Sequence, residues 1–186
     1  MQKKTLLKTI PLVVALACAS GWATAQNLNG ATPAATTSTA KKLSFGDRHF
    51  IENAAKDGIY EVQAGQLAQQ KATDPAVKQF AGRIVQDHSK ANDELNQLAQ
   101  AKGVELPAKD TLMDRYEMHK LNKLSGTDFD REFAKSSVKD HKKDIKDFEK
   151  AAAKVKDPDV KAWAEKQLPT LREHLAAAHK LPGANS

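Results

Sequence analysis

The sequence predicts an all-α protein in which two antiparallel helical hairpins form a four-helix bundle, with a short extra helix in the connection between them. Three observations predict this fold class. From Ser44 onward, apolar residues recur at helical spacing, and no segment shows the alternation of a strand. Two very short Asp-Pro turns each join two long helical segments, which favours antiparallel pairs. The sequence DPAVKQFA at residues 74–81 returns as DPDVKAWA at residues 157–164.

The first hairpin is bounded by start and stop signals. Its first helix is expected from about residue 44 to 72 and its second from 75 to 102. Asp74 is a favourable N-cap for the second helix, and Pro75 occupies the first helical position, where its missing N–H costs nothing. Gly103 then stands where helices commonly end.

The second hairpin repeats the same device after a longer connection. A short helix is expected over residues 110–124, before long helices over 127–156 and 158–181 that flank the second Asp-Pro turn. Pro169 lies inside the last of these helices. Because proline lacks the N–H and crowds the preceding turn, we expect a kink or a break there.

The first 25 residues have the layout of a cleavable export signal. Three lysines precede the apolar stretch 10–19, which is too short to span a bilayer, and Ala23-Thr24-Ala25 supplies the small residues of a cleavage site. We therefore predict a signal peptide at 1–25 and an exported product that is periplasmic or associated with the outer membrane. No later segment is apolar and long enough for a transmembrane span, so none is expected in the mature chain.

The predicted mature chain has two parts. Residues 26–43 are rich in Ala, Thr, Ser and Asn without periodicity, which predicts a flexible linker, and residues 44–182 form the predicted bundle domain. Cys18 is the only cysteine and lies within the predicted signal, so cleavage after Ala25 leaves no thiol chemistry. Lipidation of Cys18 is the alternative that leaves membrane association open.

The charge of the mature chain argues against a nucleic-acid partner. Removing residues 1–25 takes away three lysines and no acidic residue, so the formal net charge falls from +6 to +3. The remaining charges of both signs are interleaved, and aromatic residues make up only 5% of the sequence, so neither a basic stripe nor a base-stacking platform is expected.

Part of the chain resembles the DUF4142 family of exported bacterial proteins of unknown function, which are often described as outer-membrane proteins. The residues that carry the resemblance are Glu61-Val62, Gly65, Leu67-Ala68, Asp74-Pro75, Val77-Lys78, Phe80-Ala81, Asp87-His88, Asn92, Leu95 and Asp140-His141. The resemblance ends near Ala164 and covers most of the predicted mature chain. It implies a ferritin-like fold, in agreement with the predicted bundle, and it brings no established activity.

One set of residues is a candidate metal site. His88, His141 and His174 fall on the apolar stripes of three helices, and counting from the two turns places them at a similar depth to Glu61. Imidazole and carboxylate groups suit iron, zinc, manganese or copper. We therefore take Glu61, His88, His141 and His174 as the candidate ligands of a transition metal ion.

The acidic residues directly before these histidines complete the candidate site. Asp87, Asp140 and Glu173 point about 100° away from the histidines that follow them, so they are poor partners for those histidines but could ligate or orient a histidine of an adjacent helix. A di-iron ferroxidase is not expected, because no Glu-x-x-His motif is present. The alternative to a metal site is a buried layer of hydrogen-bonded histidines that fixes helix register or senses pH.

The sequence leaves three functions open. The leading hypothesis is a non-enzymatic protein that binds or scaffolds an envelope protein, since no phosphate loop, Gly-x-Ser-x-Gly elbow or Cys-x-x-Cys motif is present. The alternative is a metal-binding or metal-dependent redox protein that uses the four candidate ligands. The third is an adaptor that presents the short helix to a protein partner.

Overall fold

The computed structural model describes residues 42–107 and 111–185, and this part of the chain is entirely helical apart from turns and connections. Its elements are α1 (Phe45–Lys71), α2 (Pro75–Ala101), α3 (Leu112–Asn122), α4 (Gly126–Lys154) and α5 (Pro158–Ala178). The predicted signal peptide, 1–25, and the larger part of the predicted linker lie outside the described residues. None of the described helices combines the length and the apolar character needed to cross a bilayer.

The long helices form the predicted bundle of two hairpins. α1 packs along α2, and α4 packs along α5, while α1 also contacts α4 and α2 contacts α5. α3 lies outside this set against α4 and α1. The all-α fold class, with two hairpins and a short helix in the connection, is therefore confirmed.

Both Asp-Pro turns are capped as the sequence predicts. The side chain of Asp74 accepts hydrogen bonds from the backbone N–H groups of Ala76 and Val77, and Pro75 begins α2. Asp157 accepts in the same way at the start of α5. Each cap satisfies N–H groups that have no partner inside the helix, so a turn of three residues is enough to reverse the chain.

Two buried carboxylates join the hairpins to each other. Asp130, near the start of α4, accepts hydrogen bonds from the N–H groups of Thr73 and Asp74 at 2.9 to 3.2 Å and from the Thr73 hydroxyl at 2.5 Å. Asp47, near the start of α1, accepts from the N–H groups of Lys156 and Asp157 at 3.1 and 3.2 Å. Each hairpin thus closes the turn of the other. The two carboxylates are separated by the same 83 residues as the two Asp-Pro turns.

A polar layer divides the core into two apolar clusters. One cluster includes Ala68, Phe80 and Phe133 towards the first turn, and the other includes Ile51 and Trp163 towards the second turn. In every long helix the two clusters are separated by about two to three turns, and buried polar residues occupy the interval. The layer formed by Glu61, His88, His141, Asp144 and His174 is therefore enclosed by apolar packing on both sides.

The last helix departs from the sequence expectation. α5 runs from Pro158 to Ala178 through Pro169 without a break, and it ends three residues earlier than expected. Pro169 is on the exposed face, as is Glu165 one turn before it. The Glu165 carbonyl, which loses its helical partner at a proline, therefore faces solvent, where water can satisfy it.

Candidate metal centre

Four different helices bring the four candidate ligands together at the middle of the bundle. Glu61 comes from α1, His88 from α2, His141 from α4 and His174 from α5. Their exposed fractions are 6%, 7%, 2% and 0%. Counting residues from the two turns was therefore sufficient to predict that these side chains share one level.

The three imidazoles form a compact triangle. The distances between ring centroids are 5.5 Å for His88 and His141, and 5.2 Å for each of them with His174. One ring nitrogen from each histidine lies within 4.8 Å of those of the other two. Among the residues that the structure describes, this is the only group of three or more metal-ligating side chains at such spacing.

Each imidazole is held through one ring nitrogen by an oxygen atom. Nδ1 of His88 lies 2.8 Å from Oε2 of Glu61. Nδ1 of His141 lies 2.9 Å from the carbonyl oxygen of Ser137, and Nε2 of His174 lies 2.9 Å from Oδ2 of Asp87. An oxygen that accepts from one ring nitrogen fixes both the orientation and the tautomer of the ring, and leaves the other nitrogen as a ligand. The other nitrogens here are Nε2 of His88, Nε2 of His141 and Nδ1 of His174.

These other nitrogens are held where a cation can bind. Nε2 of His88 is buried and has no hydrogen-bond partner in the described part of the chain. Nε2 of His141 and Nδ1 of His174 lie 3.2 Å apart. Because Ser137 and ionised Asp87 only accept hydrogen bonds, the protons of neutral His141 and His174 reside on their outer nitrogens. In these tautomers two lone pairs face each other, and a proton or a metal ion between the rings relieves their repulsion.

Glu61 and His88 form a buried ionic pair. Burial alone raises the pKa of a carboxyl group, but the charge of His88 and its hydrogen bond outweigh burial and lower the pKa of Glu61 to about 2. Burial likewise acts against a charged His88, yet the Glu61 carboxylate raises the pKa of His88 above its ordinary value. Glu61 therefore stays ionised, and its carboxylate favours a positive charge beside it, either the proton on His88 or a bound cation that replaces this proton.

The other two histidines are neutral at ordinary pH. Burial lowers the pKa of His174 to about 4, against the effect of its hydrogen bond to Asp87. Burial also lowers the pKa of His141. Neutral imidazole is the form that binds metal ions, so both rings are available as ligands without first losing a proton.

The acidic residues next to the histidines have three different roles. Asp87 contacts His174 on the neighbouring α5, and the structure thus shows the type of contact expected for it. Burial acts to raise the pKa of Asp87, but hydrogen bonds from His174 and Arg83 lower it, which keeps the carboxylate ionised. Glu173 pairs with Arg83 at the surface. Asp140 is half-buried near Glu61, and none of the hydrogen bonds found in the described residues joins it to a histidine.

Sequence reasoning missed one residue of the layer, Asp144. This side chain is 4% exposed and lies beside Lys143, whose Nζ is 3.8 Å away. Burial raises the pKa of Asp144 well above its ordinary value, and the charge of Glu61 acts in the same direction. Asp144 follows Glu61 by 83 residues, the spacing of the two Asp-Pro turns. Extending the comparison of the two repeats beyond residues 74–81 and 157–164 would have identified Asp144.

Solved structures with the same fold come from several protein groups. The fold is similar to a DUF305 fragment from Deinococcus radiodurans, with a TM-score of 0.66 at 11% identity over 74% of this chain and 95% of the other. It is also similar to CopM in a Cu(I)-bound form, with a TM-score of 0.61 at 19% identity over 72% of this chain and 93% of that chain. At these identities the likeness establishes the fold alone. No curated protein sequence matches this chain.

The family assignment rests on the sequence itself. The model of the domain of unknown function DUF4142 matches residues 32–181, which include all five helices up to the end of α5. The chain therefore belongs to the DUF4142 family.

Proposed function

We propose that this protein is an exported helical bundle that binds one copper ion between the imidazoles of His88, His141 and His174. The observation that carries the proposal is the arrangement of the three rings. Each ring is anchored to an oxygen through one nitrogen, and one ring nitrogen of each buried histidine lies within 4.8 Å of those of the other two. Such anchoring is the usual environment of metal-binding histidines. The role is binding of the ion in the cell envelope, in the periplasm or at the outer membrane.

A metal ion satisfies this layer better than an additional proton does. A proton between His141 and His174 relieves the repulsion between those two rings. That proton does not give a hydrogen-bond partner to Nε2 of His88, which is buried and has none within the described residues. A single ion bound by all three nitrogens meets both requirements at once, and the ionised Glu61 and Asp87 balance its charge.

Copper fits the donor set better than the other metals that suit imidazole. Three imidazole ligands in a buried site match the low coordination number of Cu(I), and Cu(II) has the highest affinity for nitrogen ligands among the divalent first-row ions. Structural zinc sites use four protein ligands, and di-iron bundles use paired carboxylates from Glu-x-x-His motifs. The neighbouring CopM structures of the same fold are described with Cu(I), Cu(II) and Ag bound.

In this proposal Glu61 orients a ligand and supplies charge. Its Oε2 is committed to Nδ1 of His88 at 2.8 Å, and its Oε1 lies 3.5 Å from Nδ1 of His141. Both contacts are made with Nδ1, which is not the proposed ligand nitrogen of either ring. Glu61 thus belongs to the site as the residue that aims His88, while the three imidazoles bind the ion.

Copper stoichiometry tests the proposal. Protein purified without a histidine tag and stripped with a chelator is titrated with Cu(I) under reducing, anaerobic conditions against a chromophoric competitor, and metal content is measured after desalting. We expect one equivalent for the unchanged chain and for His119→Ala, which alters an exposed histidine of α3. We expect loss of high-affinity binding in His88→Ala, His141→Ala and His174→Ala.

Two results contradict the proposal. In one, the unchanged chain retains no copper and its melting temperature does not change when Cu(I), Ag(I) or Zn(II) is added; the histidines are then a hydrogen-bonded layer that fixes helix register. In the other, copper binds equally to the three site variants, which places the metal elsewhere on the chain.

A further inference from the structure

We infer that the copper site keeps one coordination position towards a small internal cleft, and that an exogenous ligand of one or two non-hydrogen atoms binds there. This inference rests on the proposed copper site. The cleft lies beside the histidines, and Glu61, His88 and His174 are part of its wall. Its volume is about 30 Å³, and one water needs about 10–15 Å³ by the same measure, so the cleft has room for a molecule of this size and no larger.

Small residues create this space. Gly58 of α1 and Ala91 of α2 line the cleft opposite the histidines. A methyl group on Gly58 would lie 2.1 Å from the side-chain oxygen of Asn92, so the position does not accommodate even an alanine without moving that amide. The cleft is therefore closed to larger ligands on this side.

The internal repeat shows which side chains occupy the equivalent positions in the second hairpin. Adding the 83-residue repeat spacing to Gly58 gives His141, and adding it to Ala91 gives His174. The second hairpin thus carries imidazoles at these two positions. The first hairpin carries a glycine and an alanine at the equivalent positions. The cleft therefore lies where the second hairpin carries a pair of imidazoles, and the Asn92 amide occupies the part of that space next to Gly58.

The buried polar atoms without partners gather around the same cleft. In the part of the chain that the structure describes, three buried side-chain atoms lack a hydrogen bond: Oε1 of Glu61, Nε2 of His88 and Nε1 of Trp163. All three residues line this cleft. Unpaired buried polar atoms are costly, and native structures carry few of them, so their concentration at one cavity points to a polar occupant.

The cleft also has a route from solvent. Its outer wall, between α2 and α5, includes Asp87, Asn92, Gln167 and Thr170, all of which are partly exposed. Their side chains are polar and three of the four are uncharged. A small neutral molecule or a monovalent anion can pass such a wall when these flexible side chains move.

Ligand binding to the copper-loaded protein tests the inference. Carbon monoxide is added to the Cu(I) form and followed by the infrared C–O stretch, and fluoride is added to the Cu(II) form and followed by the fluorine splitting of its electron paramagnetic resonance spectrum. We expect both ligands to bind with one equivalent per copper. Ala91→Val narrows the cleft and is expected to weaken both by at least about tenfold with copper stoichiometry unchanged. Ala176→Val, on an exposed face of α5, is the matched control and is expected to behave as the unchanged chain.

The outcomes separate this inference from the proposed function. Failure to bind copper overturns both. One equivalent of copper with no response to carbon monoxide or fluoride overturns the cleft ligand and leaves the copper site standing. Equal ligand binding by Ala91→Val and the unchanged chain also overturns it, because the ligand then lies outside the cleft. If Ala91→Val does not fold, as judged by circular dichroism, Gly58→Ala serves in its place, since it displaces the Asn92 amide at the same cleft.

Discussion

Oε2 of Glu61 accepts a hydrogen bond from Nδ1 of His88 at 2.8 Å across the α1–α2 interface, and both side chains are more than nine-tenths buried. This contact decides which nitrogen of His88 is available in the centre of the bundle. It also places a permanent negative charge next to the imidazole triangle. A buried pair of this kind is poorly suited to stabilising the fold on its own, since desolvation offsets much of the attraction. Its geometry is what makes it useful for binding a cation.

Glu61→Gln tests the orienting role of this contact. Glutamine keeps an oxygen that can accept from Nδ1 of His88 but removes the charge, so we expect copper affinity to fall about 10–100-fold, with one equivalent still bound. The measurement is competition against a chromophoric chelator at pH 8 for both proteins. Glu149→Gln, which removes a surface carboxylate paired with Arg172, is the control. Loss of all copper binding in Glu61→Gln would instead make Glu61 a ligand, and unchanged affinity would remove it from the site.

The buried carboxylate that closes the first turn gives a stability prediction. Removing the Asp130 side chain leaves the N–H groups of Thr73 and Asp74 without their buried acceptor. We expect Asp130→Ala to lower the free energy of unfolding by about 2–4 kcal/mol, because several hydrogen bonds to one charged group are lost. Urea unfolding followed by circular dichroism measures this change.

A neighbouring aspartate supplies the matched control. Asp128 is on the same turn of α4, but its side chain is 71% exposed and makes only a surface contact with Arg131. Asp128→Ala should change the stability by less than about 0.5 kcal/mol. The repeat adds a second comparison, since Asp47→Ala removes the equivalent contact to the second turn and should resemble Asp130→Ala. Similar effects of Asp128→Ala and Asp130→Ala would show that the inter-hairpin contact does not stabilise the bundle.

The fold could be predicted from the sequence because its signals are local. Helical periodicity and the two Asp-Pro caps depend on residues a few positions apart, and they gave the hairpins and helix limits to within a few residues. Pro169 is the exception. Whether a proline breaks a helix depends on which face carries it, and the exposed position of Pro169 followed from tertiary packing.

The site could be predicted only at the level of which residues meet. Depth along antiparallel helices follows from counting, so Glu61 and the three histidines were found together. The ring nitrogen that each histidine turns inward is set by oxygens on other turns and helices, such as the Ser137 carbonyl and Asp87. These partners depend on side-chain rotamers, which the packed core selects. The sequence places a small residue, Gly58, one turn from Glu61, but the extent of the cleft depends on the rotamers of the side chains around it.

Replacing Pro169 tests whether α5 tolerates or requires it. Proline removes one helical hydrogen bond and crowds the turn before it, so Pro169→Ala should raise the free energy of unfolding by about 1–3 kcal/mol. The position is exposed, and no core contact is lost in the exchange. Thermal and urea unfolding measure the gain, with Ala162→Ser on an exposed position of the same helix as a reference for ordinary surface changes. A loss of stability would show that packing of Leu168 and Leu171 depends on the local backbone geometry at the proline.

The half-buried carboxyl of Asp140 gives a prediction for pH. Burial raises its pKa to about 7, the charges of Glu61 and Asp57 on α1 act in the same direction, and Lys139 and Lys143 on α4 only partly oppose them. In the unfolded chain the group has a pKa of about 3.9. Between pH 4 and 7 the folded protein therefore holds a proton that the unfolded chain has released, so Asp140 makes the free energy of unfolding fall as the pH rises through this range.

Asp140→Asn removes this pH-dependent decrease in the free energy of unfolding. We expect the variant and the unchanged chain to have similar stability near pH 4, and the variant to be more stable by at least about 1 kcal/mol at pH 8. The difference between the two proteins in urea unfolding at each pH is the measurement, because the titration of the histidines is common to both and cancels. Both proteins are stripped of metal, and Asp93→Asn on an exposed face of α2 is the control that should show no such trend. A difference that stays constant from pH 4 to 8 would mean that Asp140 is ionised throughout, and the negative charges facing it from α1 would then have to be balanced by Lys139 and Lys143 alone.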